Sequence, residues 1–231
     1  MFILMLVPSI WRTVDRGLLR DITPVCLAVG VIGLSYGAIA VASGFPLWLP
    51  VTLGLLVLAA SSEFLFVGII AAGGSPVAAV LAGLLVNSRH IPFGLAVPDV
   101  LGRGGKRLLG THLMNDETVV FALAQQDPRR QRAAYWMCGL GILLCWPLGA
   151  LAGGLIGTVV EDTGALGLDA MFPAVLLALV LPALRDRDKR RPALAGAAIA
   201  LAATPFLPAG LPVLLALTAL PLTAVPRRSG R

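Results

Sequence analysis

The stretch at residues 76–97 reads PVAAVLAGLLVNSRHIPFGLAV. It is long enough to cross the hydrocarbon core of a bilayer, which takes about 20 apolar residues in a helix. Its second half, however, contains Asn87, Arg89 and Pro92, which oppose a continuous lipid-facing helix. Irregular backbone at membrane depth is tolerated only against protein or a water-filled cavity. We therefore predict that this segment is a broken or re-entrant helix.

The composition of the whole chain is that of a membrane protein. Its 231 residues are 58% hydrophobic and only 13% charged, against about 25% charged in an ordinary soluble domain. At roughly 20 residues per crossing, the length accommodates six or seven transmembrane helices and no soluble catalytic domain. The net charge of +6 does not indicate nucleic-acid binding. The bases lie in short segments between apolar runs, and they form no basic-aromatic groove.

The apolar residues define seven hydrophobic segments, at 22–43, 46–72, 76–97, 133–159, 168–184, 192–207 and 210–226. The predicted fold class is an all-α polytopic membrane protein with six to seven transmembrane segments. We expect residues 1–21 to be an interfacial segment, 22–226 a single transmembrane transporter domain, and 227–231 a basic cytoplasmic tail. The ranges 22–97 and 133–207 each contain two long hydrophobic segments followed by an interrupted one. An inverted repeat would produce this pattern.

The polar connection at 98–132 is basic, which places it in the cytoplasm under the positive-inside rule. A basic N-terminus inside, followed by three full crossings, would put it outside instead. Three solutions stay open: an N-terminus outside, an extra crossing within 98–132, or an early segment that returns to the side it entered. We favour the last, with 76–97 as that segment. The middle of the connection, 108–126, is expected to form a partly amphipathic helix on or dipping into the membrane.

Glycines at GxxxG spacing mark close helix contacts. Gly149, Gly153 and Gly157 form two consecutive steps, and Gly33 and Gly37 form another. Such spacing lets two helix backbones approach each other in a membrane. We predict that these glycines serve packing, within the chain or against a partner.

Two charged residues, Glu63 and Arg89, lie well inside apolar segments. A charge at bilayer depth costs about 3 kcal/mol or more, so it persists mainly where it has a partner, lines a cavity or serves transport. Desolvation disfavours the charged form of the Glu63 carboxyl group, which suits it to take up and release a proton. The alternative is a structural hydrogen bond or ion pair inside the helix bundle.

Arg89 keeps its charge and therefore needs an anion, backbone carbonyl groups or water. Two interpretations stay open: a buried ion pair with Glu63 that fixes the packing of two segments, and binding of a substrate carboxylate. The neighbouring His90 titrates near neutral pH when unperturbed, although a histidine satisfied by packing is the commoner case.

An acidic pair, Asp116 and Glu117, follows Asn115 in the polar connection. The three residues are solvated, form an N-cap for the following helical turn, or take part in function. No nucleophile elbow, zinc-protease motif or phosphate-binding loop is present in the sequence, and the three cysteines lack metal-ligand spacing. We predict that the chain is not an enzyme and binds no cofactor or metal.

Short motifs follow one another in a fixed order: Ile22-Thr23-Pro24, Tyr36-Gly37, Ser61-Ser62-Glu63-Phe64, Val67-Gly68, Asn87-Ser88-Arg89-His90, Asn115-Asp116-Glu117 and Cys145-Trp146-Pro147-Leu148-Gly149. Together they resemble the AzlC-type large subunit of branched-chain amino acid exporters, in its actinobacterial form. The resemblance implies a proton-driven exporter of hydrophobic amino acids such as leucine, isoleucine, valine and methionine. It also implies a small AzlD-type membrane subunit as partner and a multi-pass location in the bacterial cytoplasmic membrane.

On this interpretation the substrate site lies where the first three segments meet. The residues assigned to substrate binding are Arg89, Asn87, Ser61, Ser62, Tyr36, Phe64, Phe93 and Trp146. Those assigned to proton coupling are Glu63, His90, Asp116 and Glu117. We expect Arg89 and Asn87 to hold the carboxylate of the amino acid, and Glu63 to meet its ammonium group or exchange it for a proton. The aromatic residues are expected to surround the apolar side chain.

Two other functions fit the same residues. One is a non-transporting scaffold or assembly subunit, in which the buried charges only fix packing. The other is a passive channel, whose transport would not depend on a pH gradient. Reconstitution of the chain in liposomes distinguishes these functions from proton-coupled export.

Overall fold

The computed structural model describes residues 16–159, 177, 181, 184–207 and 211–223. Within these residues all regular structure is helical, which confirms the all-α class. The helices are α1 (Arg16–Ala42), α2 (Trp48–Leu56), α3 (Ala60–Ala71), α4 (Pro76–Asn87), α5 (His90–Ala96), α6 (Gly105–His112), α7 (Asp116–Leu123), α8 (Pro128–Val159), α9 (Arg187–Ala203) and α10 (Leu211–Leu215), followed by a 3-10 helix at Ala216–Thr223.

Three stretches of the described chain are long and apolar enough to cross a membrane: α1, α8 and Pro76–Ala96, which spans α4 and α5. Six to seven crossings and an inverted repeat therefore stay predictions. The tail at 227–231 and most of segment 168–184 lie outside the described residues. The first helix begins at Arg16, earlier than the predicted start at residue 22, and Leu18 in its first turn is already buried.

Helices α1 and α8 form the most extensive contact between two elements of the described chain. Their glycines let the backbones touch. A Cβ atom on Gly33 would lie 2.8 Å from the carbonyl oxygen of Trp146, and one on Gly153 would overlap the carbonyl group of Leu34. The predicted packing role of the GxxxG steps is thus confirmed, and the contact lies within the chain.

The predicted break in segment 76–97 is present. Helix α4 ends at Asn87 and α5 begins at His90, with Ser88 and Arg89 in the turn between them. The carbonyl oxygen of Leu85 accepts both the hydroxyl of Ser88 at 2.7 Å and its backbone N–H at 3.2 Å, and these bonds hold the turn that ends α4.

Segment 46–72, predicted as one hydrophobic segment, is also broken, into α2 and α3. Leu58, between α2 and α3, has a φ of 52°, in the left-handed region that residues other than glycine rarely adopt. Side chains of α3 satisfy the backbone groups of Ala59: Glu63 Oε1 accepts its N–H and the Ser62 hydroxyl donates to its carbonyl, both at 2.9 Å. Glu63 therefore lies in the first turn of a helix and not in the middle of one.

The expectation of one amphipathic helix at 108–126 is wrong, because α6 ends and α7 begins within this range. Between them Leu113 and Asn115 are buried. Asn115 caps α7: its side chain accepts the N–H of Thr118, and its own N–H donates to the Thr118 hydroxyl, both at 2.9 Å. The N-cap interpretation of this motif is confirmed, and the middle of the polar connection packs into the core.

Candidate functional site

The breaks before α3, α5 and α7 meet around one cavity of about 90 Å³, called cavity A below. The residues that these breaks contribute to its lining are Leu58, Ala59, Ala60, Ser61, Arg89, Asn115 and Asp116. A single water needs about 10–15 Å³ by the same measure. Cavity A therefore has room for several waters or for the polar end of a small molecule. Helix ends leave free backbone donors and acceptors, so their convergence suits a polar ligand.

Charges of both signs line cavity A. Arg89 Nη2 lies 2.9 Å from Asp116 Oδ2 and donates to the Ser61 hydroxyl at 3.3 Å. Glu117 and Asn115 complete the polar side. The side chains of Arg89 and Asp116 are 31% and 47% exposed, so this pair faces accessible space and is not sealed inside the bundle.

The ion pair between Arg89 and Glu63 is not formed in this structure. Glu63 is 1% exposed, and its carboxylate accepts the indole N–H of Trp146 and the N–H of Ala59. Residues two apart on a helix do not share a face. Because Ser61 faces Arg89, Glu63 is directed away from it. The structural hydrogen bonds anticipated for Glu63 are present.

Three of the predicted aromatic residues form a buried cluster. The rings of Tyr36 and Trp146 are stacked with centroids 5.2 Å apart, and the ring of Phe64 meets them edge-on, at 5.2 and 6.2 Å. Phe64 and Trp146 line cavity A, whereas Tyr36 lies behind them. Aliphatic residues of α1 and α8 extend this apolar wall: Val29, Ile32 and Ile142.

The remaining predicted site residues lie elsewhere. Ser62, Glu63 and Asn87 line a second cavity of about 160 Å³ between α2, α3 and α4, called cavity B below. The rings of His90 and Phe93 are 6.0 Å apart, and neither residue lines either cavity. Asn87 and Phe93 thus do not line cavity A with Arg89, and their roles in substrate binding stay predictions.

The asparagine that lines cavity A together with Arg89 is Asn115 and not Asn87. Asn115 was not among the predicted site residues, although its position next to the acidic pair Asp116 and Glu117 was an available signal. In the described part of the chain, no group of three or more His, Cys, Asp and Glu side chains is placed to hold a metal ion.

The model of the AzlC protein family matches residues 24–160, more than half of the chain. The chain belongs to the AzlC family. Both cavities lie within the matched residues, so the AzlC region contains the whole candidate site. No solved structure gives a significant match to the chain.

Three curated relatives illustrate this AzlC relationship. The chain is 26% identical over 174 residues to the branched-chain amino acid transport protein AzlC of Bacillus subtilis, covering 74% of this chain and 68% of that protein. It is 32% identical over 132 residues to an uncharacterised membrane protein of Haemophilus influenzae, covering 55% and 54%. An uncharacterised membrane protein of Helicobacter pylori is 23% identical over 174 residues, covering 74% and 75%.

Proposed function

We propose that this AzlC family member is a secondary transporter that exports hydrophobic amino acids, among them leucine, isoleucine, valine and methionine. The supporting observation is the composition of cavity A, which combines charges of both signs with an apolar wall. A zwitterion with an aliphatic side chain needs that combination. The printed name of the Bacillus subtilis relative, a branched-chain amino acid transport protein, supports the same substrate class.

Arg89 is the proposed ligand of the substrate carboxylate, since a guanidinium group presents several donors in a plane. Glu117 is the proposed partner of the ammonium group, since Asp116 is already paired with Arg89. The wall formed by Phe64 and Trp146 receives the apolar side chain. A hydrophobic pocket distinguishes one methylene by only about 1–3 kcal/mol, so we expect broad specificity within this class.

Proton coupling is the second part of the proposal, with Glu63 as the carrier. Its carboxyl group is buried and lines cavity B. It accepts the indole N–H of Trp146, whose side chain lines cavity A. A buried carboxyl group is stable in the bundle when it is protonated, or when it is ionised and its oxygens accept hydrogen bonds. It can alternate between these two states. His90 stays a further candidate, because its Nε2 is buried and no described residue forms a hydrogen bond with it.

The proposed setting is the bacterial cytoplasmic membrane, with several crossings and a small AzlD-type subunit as partner. The support for the partner is the resemblance to two-component exporters. The support for the membrane is the set of three apolar helices of sufficient length. The proposed role is transport and not catalysis.

The test is transport in liposomes. The purified chain, the small subunit, and the two together are each reconstituted and supplied with labelled leucine under an imposed pH gradient. We expect leucine to accumulate against its own gradient while the pH gradient is present. When the pH gradient is collapsed, leucine should move only until its concentrations on the two sides are equal. Leucine movement that ignores the pH gradient would identify a passive channel. Leucine movement by the small subunit alone, unchanged by this chain, would identify a scaffold.

A further inference from the structure

Asn115 has a donor that the fold leaves unused. The residue is 6% exposed, and its side-chain oxygen is committed to the N–H of Thr118 at 2.9 Å. This bond fixes the orientation of the amide, because only the oxygen can accept. The Nδ2 group is therefore turned away from the cap, and it is buried without a hydrogen-bond partner among the described residues.

Arg89 has a second unused donor at the same cavity. Its Nη2 is occupied by Asp116 at 2.9 Å and by Ser61 at 3.3 Å, whereas its Nε is buried with no hydrogen-bond partner in the described part of the chain. Buried donors are nearly always satisfied in native structures, so an exception calls for an acceptor beyond the described residues, such as a bound ligand. Arg89 and Asn115 both line cavity A.

We infer that Asn115 Nδ2 and Arg89 Nε together bind the carboxylate of the transported amino acid. A carboxylate has two oxygen acceptors in one plane and can take one bond from each group. The first turn of α7, which follows Asn115, adds the positive end of a helix dipole on the same side. This inference rests on the proposed transport function and assigns Asn115 as a substrate-binding residue that determines selectivity for amino acids over amines.

The arrangement also explains how an acidic pair can lie beside a carboxylate site. Asp116 is neutralised by its ion pair with Arg89. Glu117 is left to face an ammonium group. The carboxylate end of a zwitterion is thereby directed to Asn115 and its ammonium end to Glu117.

The substitution Asn115→Asp separates ligand binding from capping. Aspartate has the same shape and caps helices as well as asparagine does, so the bond to Thr118 is retained while the N–H₂ donor is lost. The full-length chain in lipid nanodiscs is titrated with leucine and with 3-methylbutylamine, which is leucine without its carboxylate. We expect the leucine Kd to rise at least tenfold, through loss of the donor and repulsion of the leucine carboxylate. The amine Kd should stay the same or fall, because the new carboxylate attracts an ammonium group.

Two further variants make the result decisive. Asn115→Ser also caps a helix well but has no N–H₂ group, so it should lower the leucine-to-amine preference in the same way. Thr118→Ala removes the hydroxyl side of the capping box and should leave that preference unchanged. If the wild type binds leucine and Asn115→Ser keeps the same leucine-to-amine preference, the role of Asn115 is overturned. The transport proposal is then unaffected. A wild type that binds no leucine overturns both.

Discussion

The indole N–H of Trp146 points at both carboxylate oxygens of Glu63, 3.2 Å from Oε1 and 3.1 Å from Oε2. Trp146 belongs to α8 and lines cavity A, whereas Glu63 belongs to α3 and lines cavity B. The hydrogen bond therefore joins the walls of the two cavities. Gly54 of α2 packs against it, since a Cβ atom there would lie 3.2 Å from the indole nitrogen. This contact is where occupation of one cavity can affect the other.

Replacing Trp146 with Phe keeps an aromatic ring and removes the donor. We expect the free energy of unfolding to fall by about 1–3 kcal/mol, the cost of leaving a buried acceptor unsatisfied. We also expect the dependence of leucine transport on the pH gradient to weaken several-fold. The measurements are thermal unfolding in detergent and transport in liposomes with and without a pH gradient.

Trp136→Phe is the matched control for this variant. The Trp136 indole is buried and donates to the carbonyl oxygen of Val100 at 2.8 Å, away from both cavities. It should lose comparable stability and keep the wild-type pH dependence. Equal pH dependence in Trp146→Phe and Trp136→Phe would contradict a coupling role for the Trp146–Glu63 contact.

Glu63→Gln keeps the size of the side chain and removes its ability to exchange a proton. If Glu63 carries the proton, export against a leucine gradient should be abolished, while movement of leucine down its gradient continues. Both are measured with labelled leucine in the same liposomes. Uphill export at the wild-type rate would eliminate this role and leave Glu63 as a structural hydrogen-bond acceptor at the start of α3.

Arg89→Lys tests the substrate ligand. Lysine retains the charge but lacks the planar fork of donors, so we expect the apparent affinity for leucine to fall about tenfold. A double-mutant cycle with Asp116→Asn measures the ion pair separately, and its coupling energy should be about 0.2–1 kcal/mol because both side chains are partly exposed. An unchanged leucine affinity in Arg89→Lys would favour a structural ion pair over substrate binding.

Gly153→Ala tests the contact between α1 and α8. The added methyl group would overlap the backbone of Leu34, and overpacking of this kind costs about 1–3 kcal/mol. We expect a lower unfolding temperature and a lower yield of folded protein. Gly105→Ala is the control, because a Cβ atom there meets nothing within 4 Å. Equal effects of the two substitutions would disprove the close contact.

The topology of the first half is tested at Asp99. A cysteine introduced there should react with an impermeant maleimide only from the cytoplasmic side, as the basic connection at 98–132 predicts. The chain without this substitution gives the baseline labelling of the native cysteines, of which Cys26 and Cys138 are buried and Cys145 is partly exposed. Reaction from the periplasmic side would contradict the re-entrant interpretation of segment 76–97.

Much of the fold follows from local features of the sequence. The apolar composition predicts a helical membrane protein, and Asn87, Arg89 and Pro92 predict the break in segment 76–97. The break before α3 was not predicted, because its signal is a pair of hydrogen bonds from the side chains of Ser62 and Glu63 to the backbone of Ala59. Serine and glutamate form such bonds only in one local conformation, which composition does not indicate.

The sequence by itself determined that Glu63 and Arg89 are charges at membrane depth, and that each needs a reason to be there. Only the tertiary structure decided that they do not meet: Arg89 pairs with Asp116, while Glu63 accepts from Trp146. The physical reason is rotation. Each residue along a helix turns the side chain by about a quarter of a circle, so the exact start of α3 decides which cavity each side chain enters. Local bonds from Ser62 and Glu63 to Ala59 hold that start. The partners that the two faces of α3 meet, Arg89 and Trp146, are far away in the sequence, and no local pattern contains them.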